Sequence, residues 1–153
     1  MNPFFDELLN KFRGLHAEIE GKISDLPQEA LDWQPGPDMN SIGVLVAHIV
    51  GAERYLIGDV VLEDPSHRDR PAEFLTTGLV IPALLSKLKE SETYMEGAFE
   101  SLTLDDLDLT RRHPRDGRQV KVSWSLLQAL EHTAMHVGHI QLVRQLWEQR
   151  SSA

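Results

Sequence analysis

The sequence predicts an all-α protein, a four-helix bundle. Four long stretches carry apolar residues at three- and four-residue steps, and almost nothing alternates with the two-residue period of a strand. With 153 residues, 41% of them hydrophobic, the chain has enough material for one domain spanning residues 1–153 and a core that needs no disulfides. It contains no internal repeat and no low-complexity tract.

The first helix is written in Phe5, Leu8, Leu9, Phe12, Leu15, Ile19, Ile23 and Leu26, one stripe of an amphipathic helix with Pro3 suited to its first turn and Pro27 as its expected end. Two prolines and a glycine in Trp33-Gln34-Pro35-Gly36-Pro37-Asp38 interrupt helix, and Asn40 or Ser41 can cap the second one, expected from about Ile42 to Val60 or beyond. The polar run from Asp64 to Pro71 reads as a connection. Leu84, Leu85, Leu88, Met95, Phe99 and Leu102 mark a third helix that Pro82 starts or kinks. Asp116-Gly117, between Arg115 and Arg118, suits the tight turn of a small hairpin. Ser123 is a candidate cap for the last helix, expected from Trp124 to about Gln149.

Composition excludes several chemistries. A formal charge of −9 opposes the positive surface that nucleic acid requires. The absence of cysteine removes disulfides, thiolate nucleophiles and Cys-type zinc or iron–sulfur sites, so any metal must be held by nitrogen and oxygen ligands. The N-terminus has no basic segment ahead of its apolar residues, and no uncharged stretch approaches the ~20 residues of a membrane span, so no membrane partner and a cytoplasmic location are expected. There is no Gly-x-Ser-x-Gly elbow and no Walker loop.

Chemistry concentrates in the histidines. His132, His136 and His139 fall within about 60° of one another around the last helix, on a side shared with Ala129, Val143, Leu146 and Trp147. That side is expected to face inward. His48 shares a helix face with Val44, Leu45, Ala52 and Tyr55, so inward histidines stand on two helices, as a three-histidine metal site in a bundle requires. From spacing alone, core histidines bonded to carbonyls or carboxylates explain the pattern equally well. His16 reads as a satisfied core histidine, and His67 and His113, in Arg-rich loops, as solvated. Asp105, Asp106 and Asp108 lack the glycine and distal glutamate of a calcium loop and read as a solvated run. Tyr55 and Asp59 either line a pocket or pack and cap.

A mid-helix histidine in Val46-Ala47-His48-Ile49-Val50-Gly51-Ala52-Glu53, the preceding Trp33-Gln34-Pro35, and Glu131-His132 through His136-Val137-Gly138-His139-Ile140 together resemble the DinB/YfiT-like superfamily. The resemblance extends over essentially the whole chain. It implies a four-helix bundle of that type, a divalent metal, zinc or nickel first, held by His48, His132 and His136, and a homodimer. The family often carries Gln where this chain has His139. Because the helical rise puts His139 ~10 Å from His132, it is expected not to be a primary ligand but to accept a proton beside the metal.

Characterised relatives imply a transferase or isomerase acting with a low-molecular-weight thiol. In a chain without cysteine that thiol must be a cosubstrate. A metal-dependent thiol S-transferase is therefore the leading expectation, with a metal-dependent hydrolase next. A non-catalytic metal- or ligand-binding dimer is the alternative from another class. Leu127, Leu130, Ala134 and Val137, opposite the histidines, suggest a second apolar face for the dimer contact.

Overall fold

The computed structural model describes residues 1–150. Its elements are α1 (Pro3–Ile23), a short α2 (Gln28–Asp32), α3 (Ile42–Glu53), a π-helical continuation (Arg54–Leu62), a short α4 (Arg70–Glu73), α5 (Ile81–Ser101), a 3₁₀ turn (Leu104–Asp108), β1 (Thr110–Arg112), β2 (Gln119–Lys121) and α6 (Val122–Arg150). The four long rods, with α3 and its π continuation counted as one, pack as the expected bundle. α1 and α3 each lie against both α5 and α6.

Local chemistry explains the boundaries. Asn2 accepts the Phe4 N–H at 2.9 Å ahead of Pro3, and Ser41 accepts the Val44 N–H at 3.3 Å. Pro82 lies in the first turn of α5 and starts that helix. Three boundaries depart from expectation. α1 ends at Ile23, one turn before Pro27, because Pro27 introduces α2 instead of closing α1. The second rod widens into π-helix after Glu53, ending at Glu63 with left-handed backbone (φ 56°). α6 begins at Val122, directly from β2, so Ser123 lies inside its first turn and is not the cap.

The expected hairpin is present. Thr110 pairs with Lys121, Arg111 with Val120 and Arg112 with Gln119, across a turn where Gly117 takes φ 74°. Asp106 accepts the Thr103 N–H at 2.7 Å and the Thr103 hydroxyl at 2.8 Å, so the acidic run caps its own turn.

Two apolar clusters fill the interior. One contains Phe5, Leu9, Phe12, Ile57, Val60, Met95, Phe99 and Leu126; the other contains Ile19, Ile23, Leu31, Ile42, Ile49, Leu84, Leu88 and Ile140. Between them, at mid-height, each long helix contributes a polar residue: His16 from α1, Glu53 from α3, Ser91 from α5 and Thr133 from α6. Glu53, 1% exposed, accepts hydrogen bonds from His16 Nε2 (2.9 Å), Ser91 Oγ (2.6 Å) and Thr133 Oγ1 (2.8 Å). A buried carboxylate is tolerable only when its lone pairs are satisfied in this way.

Candidate metal centre

The candidate site opens from the same mid-height layer. His48 from α3 and His132 and His136 from α6 converge through their Nε2 atoms. The His48–His132 separation is 3.1 Å and the His132–His136 separation 3.2 Å, and the three residues offer ligand nitrogens all within 4.8 Å of one another. A tetrahedral ion with bonds of ~2.0–2.1 Å to imidazole nitrogen has N···N edges of ~3.3–3.4 Å, so these spacings suit one small cation.

The nitrogens facing away are held differently. His48 Nδ1 is 2.8 Å from Glu73 Oε2, and Arg68 closes on the same carboxylate with Nε at 2.5 Å from Oε1 and Nη2 at 2.8 Å from Oε2. Burial would raise the Glu73 carboxyl, but the Arg68 hydrogen bonds and charge, with those of His48, outweigh it and hold the group below its ordinary range. An ionised Glu73 takes the Nδ1 proton of His48 as a hydrogen bond, which leaves the Nε2 lone pair aimed at the cluster. A methyl group on Gly51 would overlap the Glu73 carboxylate, so the glycine one turn beyond His48 makes this approach possible.

His136 Nδ1 lies 3.0 Å from His139 Nδ1, whereas His132 Nδ1 is buried with no hydrogen-bond partner. Burial first, then the charges of neighbouring histidines, pushes both His132 and His136 down to about 4; Arg68 adds to the effect at His132. At neutral pH His132 and His136 therefore stay unprotonated while presenting lone pairs to a common point. Neutral imidazoles with convergent lone pairs fit a divalent cation.

The structure brings His48, His132 and His136 together and sets His139 apart. His139 is exposed, lines a separate cavity with Asp38, Met39 and Asn40, and meets His136 at the nitrogen facing away from the cluster. The inward orientation expected for it fails because the buried side of α6 is centred on Ala129, Thr133, Val137 and Ile140. The histidine stripe runs along the border of that side.

His16 is a satisfied core histidine, bonded to Glu53 and 3.3 Å from Glu92. Burial alone would depress its pKa, but those carboxylates raise it above the ordinary value. His67 is exposed. His113 corrects the expectation of a solvated ring: it is 5% exposed, packs edge-on to Tyr55 and stands 3.1 Å from Asp116, because the hairpin folds back over the bundle. Tyr55 lines the cavity above His48 and His132, whereas Asp59 accepts the Ser66 N–H at 3.1 Å and has a structural place.

Of the proposed second apolar face of α6, Val137 is buried in the bundle and Leu130 half-buried, while Leu127 and Ala134 remain exposed. Val137 belongs to the core-facing side of α6 itself, and the angular position of Leu130 falls at the edge of that side. Glu73, Arg68 and Glu53 were not anticipated as site residues. A signal for Glu73 existed: Asp69 followed by Pro71 is a helix start, and Asp69 does accept the Ala72 N–H at 3.1 Å to begin α4.

Fold and site together define a helical bundle whose three-histidine cluster can hold a divalent metal. The DinB superfamily profile matches residues 6–140, and the chain belongs to that superfamily. No curated protein sequence matches it. Among solved structures, YfiT from Bacillus subtilis is 14% identical, with 95% of this chain and 88% of that chain covered and a TM-score of 0.75. That protein is described as "a probable metal-dependent hydrolase with an unusual four-helix bundle topology". A conserved protein from Enterococcus faecalis is 14% identical, covering 92% of this chain and 95% of its own, with a TM-score of 0.77. A DinB-like protein from Bacillus cereus is 17% identical, covering 92% and 90%, with a TM-score of 0.72. At these identities the likeness speaks to the fold. No helix among the described residues is long and apolar enough to cross a membrane.

Proposed function

We propose that this chain is a metal-dependent enzyme in which His48, His132 and His136 hold one divalent cation, zinc or nickel, and that it transfers a low-molecular-weight thiol to a small-molecule substrate. The supporting observation is the convergence of three Nε2 atoms, from His48, His132 and His136, beneath an open cavity. When bound, such a cation supplies Lewis acidity and favours the ionised form of an incoming thiol or water. Glu73 fixes the His48 ring through Nδ1, and Arg68 fixes Glu73. His139 acts on the His136 ring and is a positioning residue. Tyr55 and the hairpin carrying His113 wall the cavity and limit water around His48 and His132. With no cysteine in the chain, the thiol comes from a cosubstrate.

Hydrolysis is the second reading, favoured by the likeness to Bacillus subtilis YfiT, described as a probable metal-dependent hydrolase. Elemental analysis of protein purified without an affinity tag tests the metal, with about one ion per chain expected. A protein free of metal that also fails to bind added zinc or nickel would overturn the proposal. Supplying an electrophile with and without a thiol then separates the reactions, since transfer consumes thiol and hydrolysis does not. The exposed Leu127, Met135 and Leu142 on α6 support a homodimer through that helix. Light scattering that returns the 17.3 kDa monomer would remove it.

A further inference from the structure

The cavity above His48 and His132 encloses about 320 Å³, and its upper wall is built from arginines: Arg68 and Arg70 from the α4 region, Arg115 and Arg118 from the hairpin. In a chain with a formal charge of −9, this is a local reversal of sign. Among the described residues Asp116 is the one carboxylate on the cavity wall, and it pairs with Arg118 at 3.4 Å. Arg68 is committed to Glu73. Arg70 and Arg115 are in no ion pair among the described residues.

Both free guanidinium groups are steadied by aromatic faces and not by carboxylates. Arg70 lies 4.9 Å from the Phe74 ring centre and Arg115 5.6 Å from that of Tyr55; Arg118 lies 4.6 Å from Trp124. The hairpin itself is pinned here, since the Arg115 N–H donates to Tyr55 Oη at 3.1 Å. A cation–π contact holds a guanidinium near a ring while leaving N–H donors available for an anion. Burial depresses the pKa of His113; Asp116 opposes that effect and the charges of Arg118 and Arg115 add to it.

We propose that Arg70 and Arg115, with Arg118 at the edge, form an anion-binding subsite, so that the small molecule presented to His48, His132 and His136 carries a carboxylate or phosphate group. Its role as a substrate subsite rests on the proposed metal-dependent activity, but the binding of an anion does not. Gathering cations around a cavity costs electrostatic energy that a bound anion relieves, and each charge-assisted hydrogen bond contributes ~1.5–3 kcal/mol, about a tenfold change in affinity or more.

Calorimetric titration of the purified protein with malonate, inorganic phosphate and the neutral malonamide tests this, alongside Arg70→Gln/Arg115→Gln and His48→Ala/His132→Ala/His136→Ala variants. Saturable binding of one anion per chain, absent with malonamide and weakened at least about tenfold in the arginine variant, is expected. Preference for malonate or for phosphate identifies which anionic group the cavity takes. The histidine variant should lose metal and keep the anion, and the arginine variant the reverse, so failure of the metal reading leaves this test intact. Equal binding of malonamide, no saturable anion binding, or binding unchanged in the arginine variant would overturn the subsite.

Discussion

Replacing Glu53 with alanine tests the mid-height layer most severely. The carboxylate is 1% exposed and accepts from three partners on three different helices, so its removal leaves the Ser91 and Thr133 hydroxyls and His16 Nε2 without an acceptor in the interior. An unmet buried hydroxyl costs ~1–3 kcal/mol, and breaking a buried charged network typically costs ~3–5 kcal/mol in total. For a domain of this size, that corresponds to a fall in Tm of about 10 °C or more. Glu53→Gln keeps the volume and one acceptor and should cost about half as much. Urea unfolding followed by circular dichroism gives both values. Because Thr133 follows His132 in α6 and Glu53 ends α3, the same substitution should loosen the two metal-bearing helices and weaken zinc binding. An alanine variant within ~1 kcal/mol of wild type would refute the view that this layer clamps the bundle.

Removal of the orienting carboxylate by Glu73→Gln should reduce zinc affinity about 10- to 100-fold with little change in Tm, measured by competition with a chromophoric chelator. Gly51→Ala should displace Glu73 and reproduce much of that loss; an unchanged affinity would contradict the close approach. His139→Gln should leave zinc affinity within a few-fold of wild type, because His139 meets His136 at the nitrogen facing away from the cluster. In metal-free protein, His132 and His136 take up protons only near about 4 when folded, but at ~6.5 when unfolded. Their neutrality therefore stabilises the fold fully above ~6.5 and progressively less as pH falls towards 4, by about 1 kcal/mol each at pH 5 after discounting partial exposure. Thermal melts from pH 7 to 5 should show this fall, reduced in His132→Gln/His136→Gln. His16 works in the opposite sense: its pKa is raised, so its contribution is present below ~6.5 and lost as pH rises through the folded value.

The four rods were legible because each writes its buried face in three- and four-residue steps, and Phe5, Leu9 and Phe12 or Leu84 and Leu88 could only be buried on one side. His48, His132 and His136 were legible for the same reason, since a helix converts spacing into direction. Glu73 was not, because it reaches His48 across 25 positions through a four-residue helix too short to show periodicity. Nothing in the local sequence marks the role of Glu53; only the register of α1, α5 and α6 brings His16, Ser91 and Thr133 to it. The π-helical stretch after Glu53 has no local composition that distinguishes it from α-helix. His139 shows the limit of angular reasoning, since direction around a helix does not say what packs against it at each height.

The layer also explains why the fold should not need a metal in the histidine cluster. Each buried carboxylate is already matched without it. Arg68 neutralises Glu73, and Glu53 is held by His16, whose pKa its charge helps to raise, and by two hydroxyls. Two of the three clustered histidines add no charge at neutral pH, because burial keeps His132 and His136 unprotonated, and the third, His48, has Glu73 beside its Nδ1. Small zinc domains differ, since they lack a core and depend on the metal for folding energy. Here Phe12, Phe99 and Leu126 on one side of the layer and Ile49, Leu84 and Ile140 on the other carry that energy. Chelation should therefore remove the ion with the helical circular dichroism signal retained. Collapse of that signal on chelation would mean that the cation, and not the carboxylate pairing, holds the layer together.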